Sequence, residues 1–199
     1  MSEFQYYEFV AIDRPLSAPE RKRLRGITSR ATITSTRLVN TYEWGDFKAD
    51  PRELVAKYFD AFLYYANWGT RRIILRVPSA RLELKIAKQY CAIRTAGNRS
   101  IRSVATVAAV GKYLMLDLWS ESESGDDWAG TEAGMLSALV PIRNELIAGD
   151  YRALYLAWQL RAQAREITAH TRTPPVPAGT SRLTGSQQAL VEFLRIDAV

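Results

Sequence analysis

The sequence predicts an α+β fold: a mixed, mainly antiparallel sheet of about five strands, with helices packed on one face and a C-terminal helical pair. Three observations lead there. SVATVAAV and YLMLDLW flank Gly111 and Lys112 as the arms of a hairpin, which makes an all-parallel sheet untenable. FQYYEFVAID places apolar residues at both parities, as a strand covered on two faces does. GMLSALVPIRNELIAG and DYRALYLAWQLRAQ have helical spacing and meet at Gly149 and Asp150, a C-cap glycine followed by an N-cap aspartate.

In chain order, the first strand spans residues 4–13 and is ended by Pro15, which has no N–H for a ladder. Ser17 and Glu20 have capping-box spacing and start a short helix that offers only Leu24 and Ile27 for burial. Its cluster Arg21, Lys22, Arg23 and Arg25 faces solvent or a phosphate. ATITSTRLVNTYEW alternates and is rich in Thr and Val, predicting a strand over residues 32–44. Asp50, Pro51 and Glu53 then mark a helix start. Leu54, Tyr58, Phe62 and Tyr65 form one row and Val55, Phe59 and Leu63 the next, so the spacing predicts a helix over residues 51–67 with its rings facing the core.

Gly69 serves as its C-cap, and RRIILRVP continues as a strand over residues 71–77. RLELKIAKQYCAI reads as a short helix, with a strand as the alternative, and AIRTAGNRSIRS as a mobile basic loop. The hairpin supplies strands 104–110 and 113–119, and ESESGDDWAG is an acidic loop. Pro141 either kinks a helix or starts a new one. HTRTPPVPAGTSRLTGS reads as an extended, mobile linker, and SQQALVEFLRI as a helix presenting Leu190, Phe193 and Leu194. The expected organisation is one domain over residues 1–166, a linker over 167–185 and a helix over 186–199.

Composition narrows the function. With 47% apolar and 11% aromatic residues the chain has enough apolar area to fold as a globule. The net charge of +6 is unevenly spread: residues 1–112 hold 20 Lys/Arg against 10 Asp/Glu, and the remainder 7 against 11. A basic half suits a nucleic-acid partner or intramolecular pairing with the acidic half. A single cysteine, Cys91, forms no internal disulfide, and no apolar run is long enough for a membrane span, so the expected location is cytoplasmic with no membrane partner.

Chemistry that needs several histidines or cysteines is excluded. His170 is the one histidine and sits before prolines, so neither a Ser-His-Asp site nor a structural zinc can be assembled, and no metal or cofactor is expected. There is no GxGxxG, and Gly111-Lys112 is followed by Tyr113 where a phosphate-cradling loop needs Ser or Thr. Glu121, Glu123, Asp126 and Asp127 lack the order of a calcium loop. Asp60 with the E-x-K of Glu83 and Lys85 resembles the magnesium carboxylates and lysine of PD-(D/E)xK nucleases, although that family carries E-x-K on a strand.

YYEFVAIDRPLS, VNTYEWGDFKADPRELVAKYFDAFLYYANWGTRRIILRVP and IRNELIAGDYRALYLAWQLRAQ together resemble a family of uncharacterised bacterial proteins over most of residues 5–165, with AIDRPL and YFDAFLYYANWGTRR as its most specific motifs. The resemblance implies a bacterial, cytoplasmic setting, and members that look longer than this chain make it either a truncated copy or part of a longer protein; it carries no activity, cofactor or catalytic residue. Members look more acidic and histidine-containing where this chain has SIRSVATVAAVGKYLML.

The first functional expectation is therefore a non-catalytic protein-protein interaction or scaffold module, its surface including Trp44, Trp68, Arg71, Arg72 and Trp128. The second is a nucleic-acid-binding protein using Arg21, Lys22, Arg23, Arg25, Arg71, Arg72, Arg76, Arg99 and Arg102. The third is a metal-dependent nuclease using Asp60, Glu83 and Lys85.

Overall fold

The computed structural model describes residues 4–45, 47–95, 103–122, 134–168 and 171–197. Its elements are β1 (Gln5–Val10), α1 (Ala18–Ile27), β2 (Thr32–Ile33), β3 (Arg37–Tyr42), α2 (Pro51–Lys57), β4 (Ala61–Ala66), β5 (Arg71–Pro78), α3 (Leu84–Ala87), β6 (Ala92–Ile93), β7 (Ala105–Val110), β8 (Tyr113–Ser120), α4 (Met135–Leu139), α5 (Pro141–Ile147), α6 (Arg152–Gln163) and α7 (Gly185–Leu194). The fold is α+β, built on one sheet in the order β2-β3-β1-β4-β5-β8-β7-β6. Every pairing is antiparallel except the parallel edge pair of β6 and β7.

The sheet has eight strands rather than about five, and the largest correction concerns residues 51–67. The helix begins as expected, with the Asp50 carboxylate accepting from the Arg52 amide and Pro51 at its start. It ends at Lys57, after two turns. The Asp60 amide then donates to the Val10 carbonyl at 2.8 Å, and residues 61–66 enter the sheet beside β1, pairing Phe62 with Phe9 and Tyr64 with Tyr7. Five of the six β4 residues are buried and Tyr64 is half-buried. The stretch predicted as one strand over 32–44 folds back on itself, because the Thr34 hydroxyl accepts from the Thr36 and Arg37 amides and turns β2 against β3. The central segment bears out the short helix α3 and adds a two-residue strand, β6.

Helices cover both faces of the sheet, not one. On one face Phe9, Phe62, Ile74 and Met115 meet Leu16, Leu24 of α1, and Leu54, Val55 and Phe59 around α2. Phe9 and Phe62 are fully buried with ring centroids 4.5 Å apart, inside the range for favourable aromatic pairs. On the other face Leu63, Ile73, Leu75, Leu116 and Leu118 pack under Leu139, Ile142, Leu146, Leu154 and Ala157. Pro141 starts α5 afresh, and Gly149 (φ +89°) with Asp150 turns the chain into α6.

The Pro/Gly-rich stretch before α7 is tied to the domain: the Tyr90 hydroxyl donates to the Pro175 carbonyl at 2.8 Å, and Arg152 donates to the Gly179 carbonyl at 3.3 Å and to that of Arg182. α7 buries Leu190, Phe193 and Leu194 in the domain's own core. Its first turn is gripped by Glu145, whose carboxylate accepts from Thr184, Ser186 and Gln187. Its last carbonyls, of Glu192 and Phe193, accept from the Arg71 guanidinium at 3.0 and 2.9 Å.

Cys91 is 2% exposed, and burial pushes its thiol up to about 12. Since the thiolate is the reactive form, native protein at pH 8 is expected to give no thiol titre with a disulfide reagent, and the full single equivalent after unfolding in urea. A native titre of one would contradict this packing.

Candidate nucleic-acid interface

The most exposed large apolar side chain among the described residues is Trp44, 67% open to solvent. It stands just past β3, in a loop where Gly45 (φ +83°) offers its carbonyl to Gln5 Nε2 at 2.7 Å. Facing it is the loop after α1. Arg25 donates to the carbonyls of Ser29 and Ala31 at 3.0 and 2.5 Å, and the Thr28 hydroxyl accepts from Asn40 Nδ2 at 2.8 Å. These bonds fold residues 28–31 back on the sheet and project Arg30 over Trp44, its guanidinium carbon 5.0 Å from the ring centroid. The distance is that of a cation–π contact.

Between the two loops lies a groove of about 460 Å³ lined by Arg25, Gly26, Ile27, Thr28, Ser29, Arg30, Tyr42, Trp44, Gly45 and Lys48. Three of these are cationic, two are aromatic, and no carboxylate is among the described residues of the lining. Lys22 and Arg23 on α1 are also exposed. Such an arrangement can stack a planar group and neutralise the charges flanking it. Arg30 and Lys48 were not singled out in the sequence. Neither has a local motif, and only the two turns bring them to the same tryptophan.

Four of the other expected arginines, Arg21, Arg71, Arg72 and Arg76, bond to groups within the protein. Arg71 is 3% exposed and caps α7. Arg72 forms a two-pronged pair with Asp117, Nε to Oδ1 at 2.7 Å and Nη2 to Oδ2 at 2.8 Å, and Arg52 reaches the same carboxylate. Arg76 donates twice to Asp60 and lies 4.2 Å over the Tyr113 ring. Arg21 donates to the Leu16 carbonyl. Trp68 is 43% exposed at the turn between β4 and β5, its indole N–H donating to Thr70. Trp44 and Trp68 follow strands that flank β1, beyond the same end of the sheet. Trp128, Arg99, Arg102, His170, residues 96–102 of the basic loop and most of the acidic loop lie outside the described residues, whereas the start of the basic loop forms β6.

The three nuclease candidates occupy different settings. Asp60 is 1% exposed and accepts from the amides of Ile12 and Asp13 as well as from Arg76. Burial by itself would raise its pKa, but those two amides and Arg76 outweigh burial and hold the carboxyl below the usual aspartate value. Glu83 and Lys85 sit at the start of α3, on the surface, and pair with each other at 3.0 Å. The helix preferred for this segment is therefore the setting of E-x-K, and Asp60 is placed as a structural anchor for AIDRPL. Among the described residues no three His, Cys, Asp or Glu side chains gather as a metal site would require, and no helix is long and apolar enough to cross a membrane.

Glu8 is a further buried carboxylate besides Asp60 and Asp117, on the face covered by α4 to α7. Burial raises its pKa, against the Tyr6 hydroxyl at 2.9 Å and Arg37 at 2.5 Å, which favour the charged form. Comparison with protein-family models, with curated proteins and with solved structures gives no match.

Proposed function

We propose that this protein is a non-catalytic module that binds single-stranded nucleic acid, stacking a base on Trp44 and holding the adjoining phosphates with Arg30, Lys48, Lys22 and Arg23. The observation that carries the reading is the open Trp44 ring with the Arg30 guanidinium laid over it, in a groove whose described lining is cationic. A protein ligand for that groove would need to be acidic and aromatic together, whereas every nucleotide brings a π-face and a phosphate at a fixed spacing. The excess of Lys/Arg in residues 1–112 supports the same partner, since summed positive charge steers polyanions to the surface.

The test is fluorescence anisotropy of a labelled twelve-nucleotide thymidine oligomer at a series of salt concentrations. Contact with three phosphates gives a logarithmic salt slope of about −2, from about −0.7 per phosphate on a single strand. Trp44→Ala is expected to weaken binding by about 1–3 kcal/mol, the usual contribution of one base-aromatic stack. Arg30→Ala and Lys48→Ala should each flatten the salt slope. An oligomer that stays free at low salt, or binds Trp44→Ala unchanged, removes the proposal.

A further inference from the structure

A second groove, of about 960 Å³, lies at the opposite edge of the sheet, where β6 ends the strand order. Its walls are the segment from Lys88 to Ile93, the α6 side chains Trp158 and Arg161, and the extended residues 171–175. Two properties of this groove define what it accepts.

The first is an unpaired strand edge. In the parallel ladder Ala92 pairs with Thr106 and the Arg94 amide donates to the Val107 carbonyl at 2.8 Å. Alternation then turns the N–H and C=O of Ile93 away from β7, toward the groove. No main-chain bond joins residues 171–175 to this edge among the described residues. The Ile93 side chain is 40% exposed, and among the described residues no main-chain bond is made to its outward N–H or C=O.

The second is charge. Lys88, Arg161 and Arg172 line the groove, and no carboxylate is among its described lining residues. Arg161 is held by Glu166 at 3.1 Å and by the Tyr90 carbonyl. Lys88 and Arg172 are exposed and make no ion pair among the described residues. Exposed strand edges recruit extended chains through main-chain hydrogen bonds, and the lining sets which side chains are accepted.

We infer that this groove binds an extended acidic peptide segment of a partner protein, which adds as a ninth strand outside β6 and sets carboxylates against Lys88 and Arg172. Apolar side chains alternating with the acids would meet Ile93 and Trp158. The site is separate from the Trp44 groove, so the protein would join a nucleic acid at one sheet edge to an acidic segment at the other.

The experiment pans a random-peptide display library against the full chain, then measures the selected peptide in labelled form. Expected are sequences alternating Asp or Glu with apolar residues, and a loss of affinity of at least about tenfold in Lys88→Glu/Arg172→Glu, since opposed charges become like charges. Both positions are exposed, so this variant keeps its fold. Ile93→Pro removes the outward N–H while leaving the β6–β7 bonds, and should also weaken the peptide. Trp44→Ala should leave peptide binding unchanged, which separates this site from the nucleic-acid groove. Selection of non-acidic peptides, no selection, or binding indifferent to the charge reversals would each overturn the inference.

Discussion

Asp60→Ala is expected to lower the unfolding free energy by about 3–5 kcal/mol, because it strands the buried Arg76 without its partner. The carboxylate also satisfies the amides of Ile12 and Asp13, at 2.6 and 2.9 Å, which would lose their acceptor in the same step. Urea denaturation followed by tryptophan fluorescence gives the measurement. Glu83→Ala is the comparison: its ion pair with Lys85 is solvent-exposed, and such pairs contribute between about 0 and 1 kcal/mol. The pH dependence has a definite sign. Because the folded carboxyl is held below its unfolded value, its contribution is fully present above the ordinary aspartate pKa and is lost as pH falls through the folded one. Asp60→Asn should therefore flatten the acid limb of the stability curve below about pH 4, near the aspartate reference value. A variant equal to wild type in urea would show that the anchor carries no stability.

Phe62→Ala should lower stability by a similar amount, about 3–5 kcal/mol, the range for deleting a buried phenylalanine. The ring is fully buried, in contact with Phe9 and opposite Ile74 in the ladder, between α2 and the sheet's neighbouring strands. A lower midpoint at unchanged denaturant slope is the expected form, since the exposed area on unfolding hardly changes. A loss below about 0.5 kcal/mol, the usual range for exposed sites, would mean that this face relaxes around the gap.

Phe62 also shows why part of the fold was hidden in the sequence. Leu54, Tyr58, Phe62 and Tyr65 fall on a helical stripe by spacing alone, yet α2 stops at Lys57 and Phe62 lies on a strand. A strand buried on both faces has no alternation, so its apolar run matches helical spacing as readily as any other. The aromatic content of AFLYYA was the available signal for a strand, since Asp60 falls opposite the apolar stripe at helical spacing and so matches a helix too. Burial of Tyr58, Phe59, Phe62 and Tyr65 was legible all the same, because it follows from hydrophobicity and not from element type. Local chemistry was equally legible: the capping box of Ser17 and Glu20, the Asp50-Pro51 start and the Gly111 hairpin stand where the spacing places them.

Of the candidate interface, Trp44 could be named from the sequence and Arg30 with Lys48 could not. Arginines are alike as letters, and only tertiary pairing sorts them. Arg71, Arg72 and Arg76 look like an exposed basic run but serve α7, Asp117 and Asp60. Arg30 is left at the surface over an indole.

The clamp on α7 has a consequence for synthesis. The helix closes over Ile73, Leu75, Leu116 and Leu118, and its ends are held by Glu145 and Arg71. Translation at about 5–20 residues per second leaves roughly 4–15 seconds between the end of β8 and the end of α7. For that interval the nascent chain on the ribosome carries an incompletely roofed apolar sheet, the period in which chaperone capture should be strongest.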